Sequence, residues 1–143
     1  MKSESNSIGS GQVLHCPYDF QKTRLIIKEM TDLLALDLVD KHLVTDQLVL
    51  TVGYDIGNLE SGNKKKQYQG EITEDRYGRK VPKHAHGTAN LKNRTSSSIE
   101  MIEMILELYD KIVNPDLFIR RVYITANHVV DESLAEEKAS LNS

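Results

Sequence analysis

Two stretches of this chain repeat apolar residues at three- and four-residue spacing, and the segments around them alternate with a period of two. That arithmetic constrains the fold more than any other feature. Over about residues 19–41, Leu25, Ile26, Met30, Leu33, Leu34 and Leu38 form one stripe behind Asp19, a residue suited to cap a helix. Further on, Ser97 and Glu100 have the spacing of a capping box. Behind them Ile102, Ile105, Leu106, Tyr109, Ile112 and Val113 form a second stripe, which Asn114-Pro115 stops. Strands are expected over 7–15, ended by Pro17, and over 47–56, 84–94 and 117–127. The order is strand, helix, strand, strand, helix, strand. Two helices cover only one face of a four-stranded sheet. The expected class is therefore α+β, two-layered, with an antiparallel sheet whose second face is open.

The side chains that fall on that open face carry the functional signal. In 84–94, Ala85, Gly87, Ala89 and Leu91 alternate with His84, His86, Thr88, Asn90, Lys92 and Arg94. The second set holds two cations, two imidazoles, a hydroxyl and an amide, with no acid. In the last strand Val122, Ile124 and Ala126 alternate with Arg121, Tyr123, Thr125 and Asn127, again without acids. A one-signed, donor-rich face suits a polyanion, most commonly a nucleic acid backbone. An ordinary solvated strand is the competing reading of the same residues.

Charge distribution agrees with the first reading. The chain has 143 residues and a net charge of −3. Between Gly57 and Arg94 nine basic residues face four acids, a local balance of +5, which leaves −8 for the remainder. Local potential governs contact more than net charge does. The length is that of one domain, which buries roughly two-thirds of its unfolded surface. Residues 1–6 read as a frayed start, 7–130 as the domain, 57–81 within it as a basic insert (a hairpin or mobile loop carrying Lys64, Lys65 and Lys66), and 131–143 as a flexible acidic tail. Cys16 is the single cysteine, so no internal disulfide forms, which fits a reducing, cytoplasmic setting. No apolar run approaches the roughly 20 residues of a membrane helix, and no membrane partner is expected.

Catalytic and metal patterns are weak by comparison. His84 and His86 share a strand face, with His15, Cys16 and His128 elsewhere, but structural zinc wants four ligands in tight local pairs. In a strand the side chains of His15 and Cys16 diverge, which argues against a nucleophile–base pair. Asp55 ends a strand without an evident carboxylate partner, and no glycine-rich phosphate loop precedes a helix. Tyr123 is the one aromatic on the donor-rich sets, so duplex backbone contact is preferred over stacking of single-stranded bases.

Three stretches together resemble a known family. Asn6-Ser7-Ile8-Gly9-Ser10, Lys92-Asn93-Arg94-Thr95 and Ile119-Arg120-Arg121-Val122 are similar to three strand motifs of the little finger domain of Y-family translesion DNA polymerases. The element order agrees, and the wording of residues 9–14 and 82–96 is nearest the bacterial UmuC-like branch. The resemblance covers about residues 6–132. It implies an accessory DNA-binding domain that grips primer–template duplex during error-prone, SOS-type lesion bypass. It also implies that the catalytic core of the same polymerase, with its Mg2+, lies outside this segment, which holds no cofactor or catalytic residue of its own. The implied DNA contacts are Ser7, Ser10, Lys92, Arg94, Thr95, Arg120 and Arg121, to which the open strands add His86, Thr88 and Tyr123. Alternation places Arg120 on the helix-facing set, at the strand's edge. A sliding clamp is a further implied partner, although the tail ending Leu141-Asn142-Ser143 shows no clamp-binding peptide, and Met1 before Lys2 fits a fragment of a longer protein. A module that binds protein or peptide through the open sheet is the alternative from another class.

Overall fold

A computed structural model describes residues 6–55, 57, 71–74 and 77–133 of the chain. Its elements are β1 (Asn6–Tyr18), α1 (Phe20–Asp40), β2 (Leu43–Tyr54), β3 (Ile72–Glu74), β4 (Lys80–Pro82), β5 (Ala85–Thr95), α2 (Ser98–Ile112) and β6 (Ile119–Asp131). Four strands form one antiparallel sheet in the order β1-β6-β2-β5, and β3 pairs with β4 in a separate small hairpin. The expected two-layer α+β architecture is what the chain adopts.

Both helices begin where their caps dictate. The Asp19 side chain accepts a hydrogen bond from the Lys22 amide at 2.8 Å, and the Ser97 side chain from the Glu100 amide at 3.4 Å. The core lies between the helices and one face of the sheet. Leu48, Leu50 and Val52 of β2 and Ile119, Val122 and Ile124 of β6 meet Ile27, Leu34, Leu38, Met101, Ile105 and Tyr109. Gly87 lets α2 settle on β5, since a Cβ there would stand 2.9 Å from Leu108 Cδ1. Tyr109 is buried, its ring centroid 4.7 Å from that of Phe20, and its hydroxyl donates to the Phe20 carbonyl at 2.8 Å. Burial pushes this phenol above its ordinary range.

Several expectations are corrected. Helix α1 is turned relative to the predicted stripe: Thr23, Ile27, Thr31 and Ala35 are buried with Met30, Leu34 and Leu38, while Leu25 is 62% and Leu33 65% exposed. The buried set follows i, i+3, i+4 spacing more closely, because threonine and alanine can pack where a hydrophobicity pattern expects leucine. On α2 the buried residues are Met101, Ile105, Leu108 and Tyr109. Pro17 does not end the first strand. β1 is an edge strand whose register shifts between Val13 and Tyr18, so a proline without an amide hydrogen is tolerated there. β6 continues past Asn127 to Asp131, pairing Val130 with Val44 and burying Val129. The turn before β2 is shorter than expected, which brings Asp46 into the sheet. Part of the basic insert is the β3–β4 hairpin. Of the start expected over 1–6 and the tail expected over 131–143, Asn6 belongs to β1 and Asp131 to β6; residues 1–5, the Lys64–Lys66 run and residues from 134 lie outside the described residues.

Candidate nucleic-acid interface

Cross-strand register lays the open face out in rows. Asn127, Gln47 and Asn90 form one row across β6, β2 and β5. The next runs Gly9, Thr125, Val49, Thr88, and the one after it Gly11, Tyr123, Thr51, His86. Val13, Arg121 and Gly53 form the last. Each row is polar or small over most of its length. That leaves the face without an apolar stripe for a third layer.

Hydrogen bonds tie the rows together. Asn127 Nδ2 donates to Gln47 Oε1 at 2.9 Å, and Gln47 Nε2 donates to Asn90 Oδ1 at 3.0 Å. Thr51 Oγ1 and His86 Nδ1 lie 2.9 Å apart. These bonds hold the side chains against the sheet, while Asn90 and Thr88 stay exposed. Asn90 Nδ2 ends the amide ladder as a donor free of that chain of bonds, a group able to meet a phosphate or base-edge acceptor.

Glycines shape the far end of the face. A Cβ on Gly9 would stand 2.8 Å from Tyr123 Oη, and one on Gly11 would stand 2.6 Å from Tyr123 Cδ1. The tyrosine ring therefore occupies the space that side chains on β1 would fill, and the residue remains 51% exposed. In the same way Arg121 lies over Gly53, where a Cβ would stand 2.6 Å from Arg121 Cγ. Gly53 pairs with Arg121 while its neighbour Tyr54 pairs with Ile119, so Arg120 is the extra residue of a β-bulge. The bulge corrects the alternation argument for Arg120. Its side chain turns toward Asp55, with Nη1 3.6 Å from Oδ1, and it lines the same groove as Arg121.

The cations differ in how free they are. Among the described residues neither Lys92 nor Arg121 has an acid within ion-pair distance. Arg94 does: its Nη2 lies 3.9 Å from Asp46 Oδ2, and Asp46 Oδ1 lies 2.8 Å from His128 Nδ1. The register between β2 and β5 slips after Thr45–Thr95, so residues 91–94 leave the strict alternation and reach this corner. Thr95 Oγ1 accepts from the Ser97 amide at 2.9 Å, which commits it to the start of α2. Ser10 pairs with Ile124 and so belongs to the helix-facing set of the edge strand; Ser7 is exposed at the irregular start of β1.

The structure thus gathers His86, Thr88, Arg121 and Tyr123 on one face, sets Lys92 and Arg94 at one corner and Arg120 at the other end, and separates Ser10 and Thr95 from them. Sequence reasoning missed Gln47, Asp46 and the glycines. The outward position of Gln47 in the 47–56 alternation was the available signal for it. His84 and His86 stand with ring centroids 6.4 Å apart. No group of three or more His, Cys, Asp or Glu side chains able to hold a metal ion occurs among the described residues, and no described helix is long and apolar enough to cross a membrane.

Neither a protein-family profile nor a curated protein matches this chain in sequence. The fold is shared with a solved structure described as a complex of the beta-clamp processivity factor and the little finger domain of PolIV. The TM-score is 0.52 at 9% identity, over 85% of this chain and 86% of that one. What this likeness defines is a class of fold, that of a little finger domain.

Proposed function

We propose that this domain is the accessory DNA-binding part of a translesion polymerase, gripping the backbone of a primer–template duplex with its open sheet face. One observation carries the reading: both helices lie on one face of the four-stranded sheet, and among the described residues the other face presents Thr88, Asn90, Lys92, Arg121 and Tyr123 with no helix over them. Lys92 and Arg121 would neutralise phosphate, and Thr88, Asn90 and Tyr123 would position it without reading sequence. The three short motifs around Ser7, Arg94 and Arg121 support the UmuC-like branch and lesion bypass under DNA damage, and the single cysteine fits a cytoplasmic setting. The catalytic core would be a separate domain holding Mg2+. A sliding clamp is the second protein partner this reading carries, by analogy with the complex that the PolIV domain forms.

Duplex affinity measured across a range of salt tests the reading. Lys92→Ala and Arg121→Ala should each weaken binding to any sequence alike and lower the salt slope by about one. Unchanged affinity and slope in both variants would mean that the face is misassigned.

A further inference from the structure

The β3–β4 hairpin and the Arg121 end of the open face enclose a groove of about 760 Å³. Thr73, Arg79 and Val81 line it from the hairpin side, and Gly11, Arg121 and Tyr123 from the sheet. That volume is in the range of small-ligand clefts of roughly 300–1,000 Å³. Arg121 and Tyr123 face the open sheet and are shared with the duplex grip; the space between them and the hairpin is too narrow for a duplex but takes one nucleotide.

The chemistry of the walls matches a nucleotide in two parts. Tyr123 stands above Gly9 and Gly11 with half of its surface open, an aromatic surface on which a base can stack. Arg121 is two residues along the same strand, on the same face, and is seated over Gly53. The spacing between alternate residues of a strand, about 6.6 Å, is close to a base-to-phosphate step. Two acids also line the groove, and each has a cation beside it: Asp55 with Arg120 at 3.6 Å, and Glu74 with Lys80 at 3.9 Å. Arg121 has no such partner among the described residues, which leaves its charge for an incoming phosphate.

We propose that this groove receives one unpaired nucleotide of a DNA strand, its base stacked on Tyr123 and its phosphate against Arg121. The inference rests on the DNA-binding reading and adds to it a site for single-stranded DNA beside the duplex grip. It assigns the hairpin a purpose as the second wall of that site.

The full chain can be titrated with a blunt duplex and with the same duplex bearing a short single-stranded overhang, a fluorescent purine analogue standing at the unpaired position. The overhang should tighten binding about tenfold, within the range of one base stacked on an aromatic side chain, and the analogue should be quenched. Tyr123→Leu should bring the overhang-to-blunt ratio close to one and restore the fluorescence. Tyr123→Phe should keep both effects. Gly11→Val, which drives a side chain into the ring's seat, should act like Tyr123→Leu, with a thermal melt confirming that each variant is folded. Equal affinity for the two DNAs, or a tenfold gain and quench that survive in Tyr123→Leu, overturns the proposal while leaving the duplex reading standing. Binding of the overhang alone, with the quench lost in Tyr123→Leu, supports the groove and overturns the duplex reading. Binding of neither DNA overturns both.

Discussion

Asp46 sits at the corner where Arg94 should meet phosphate, and its removal gives a quantitative test of the face. The carboxylate lies 3.9 Å from the Arg94 guanidinium and 2.8 Å from His128 Nδ1, with Arg94 and Asp46 each about one-third exposed. At that separation the gross Coulomb attraction is about 4 kcal/mol at an effective dielectric of ~20 and about 1 kcal/mol in bulk water. Exposed pairs of this kind retain ~0–1 kcal/mol net. Asp46→Asn should therefore change folding stability by no more than about 1 kcal/mol. Its effect on DNA should be larger in character. Arg94 would be released, duplex affinity would rise up to about fivefold at low salt, and the salt slope would steepen by up to about 0.9. A double-mutant cycle isolates the pair. In the natural background Arg94→Ala should cost little binding, since Asp46 already offsets that charge; in Asp46→Asn it should cost the whole gain. Fluorescence anisotropy of a labelled duplex at several salt concentrations reads all four proteins. If Arg94→Ala weakens binding equally in both backgrounds, Asp46 does not restrain Arg94 and the reasoning fails.

Two further outcomes concern the scaffold. Arg24 bridges α1 to α2 through two hydrogen bonds to the Asp110 carboxylate, at 2.8 and 2.9 Å; the guanidinium holds that carboxyl below its usual range. A carboxyl depressed in the folded state stabilises above its unfolded pKa and ceases to as pH falls through the folded value. Arg24→Ala should therefore cost at most about 1 kcal/mol near neutrality, and urea unfolding should show the gap from the natural protein shrinking in acid; a gap that widens there would contradict the pairing. The turned face of α1 separates two adjacent leucines: Leu34→Ala should cost about 2–5 kcal/mol and Leu33→Ala less than about 0.5 kcal/mol, so similar denaturation midpoints for the two would refute the observed rotation.

The element order and the open-sheet class were legible in the chain because both depend on local periodicity and on counting layers. Asp19, Ser97 and Pro115 mark helix limits through bonds or restrictions that reach no further than three or four residues. The alternation in β5 and β6 likewise put His86, Thr88, Arg121 and Tyr123 on one face before any contact was known, since a strand's side-chain period does not depend on its neighbours. What required the tertiary structure is everything set by pairing between distant segments. The bulge at Arg120 exists because Gly53 and Tyr54 of β2 take partners two residues apart on β6. Asp46 meets Arg94 only because the β2–β5 register slips. The rotation of α1 was hidden because its stripe contains Thr23, Thr31 and Ala35, whose burial depends on what packs against them rather than on their own hydrophobicity. Along the chain Gly9, Gly11 and Gly53 carry no sign of a purpose; only the ladder shows that each makes room for a side chain reaching across from β6. One residue's alternation can be read along the chain, but which charge faces which, and how much room a side chain has, are properties of the assembled sheet.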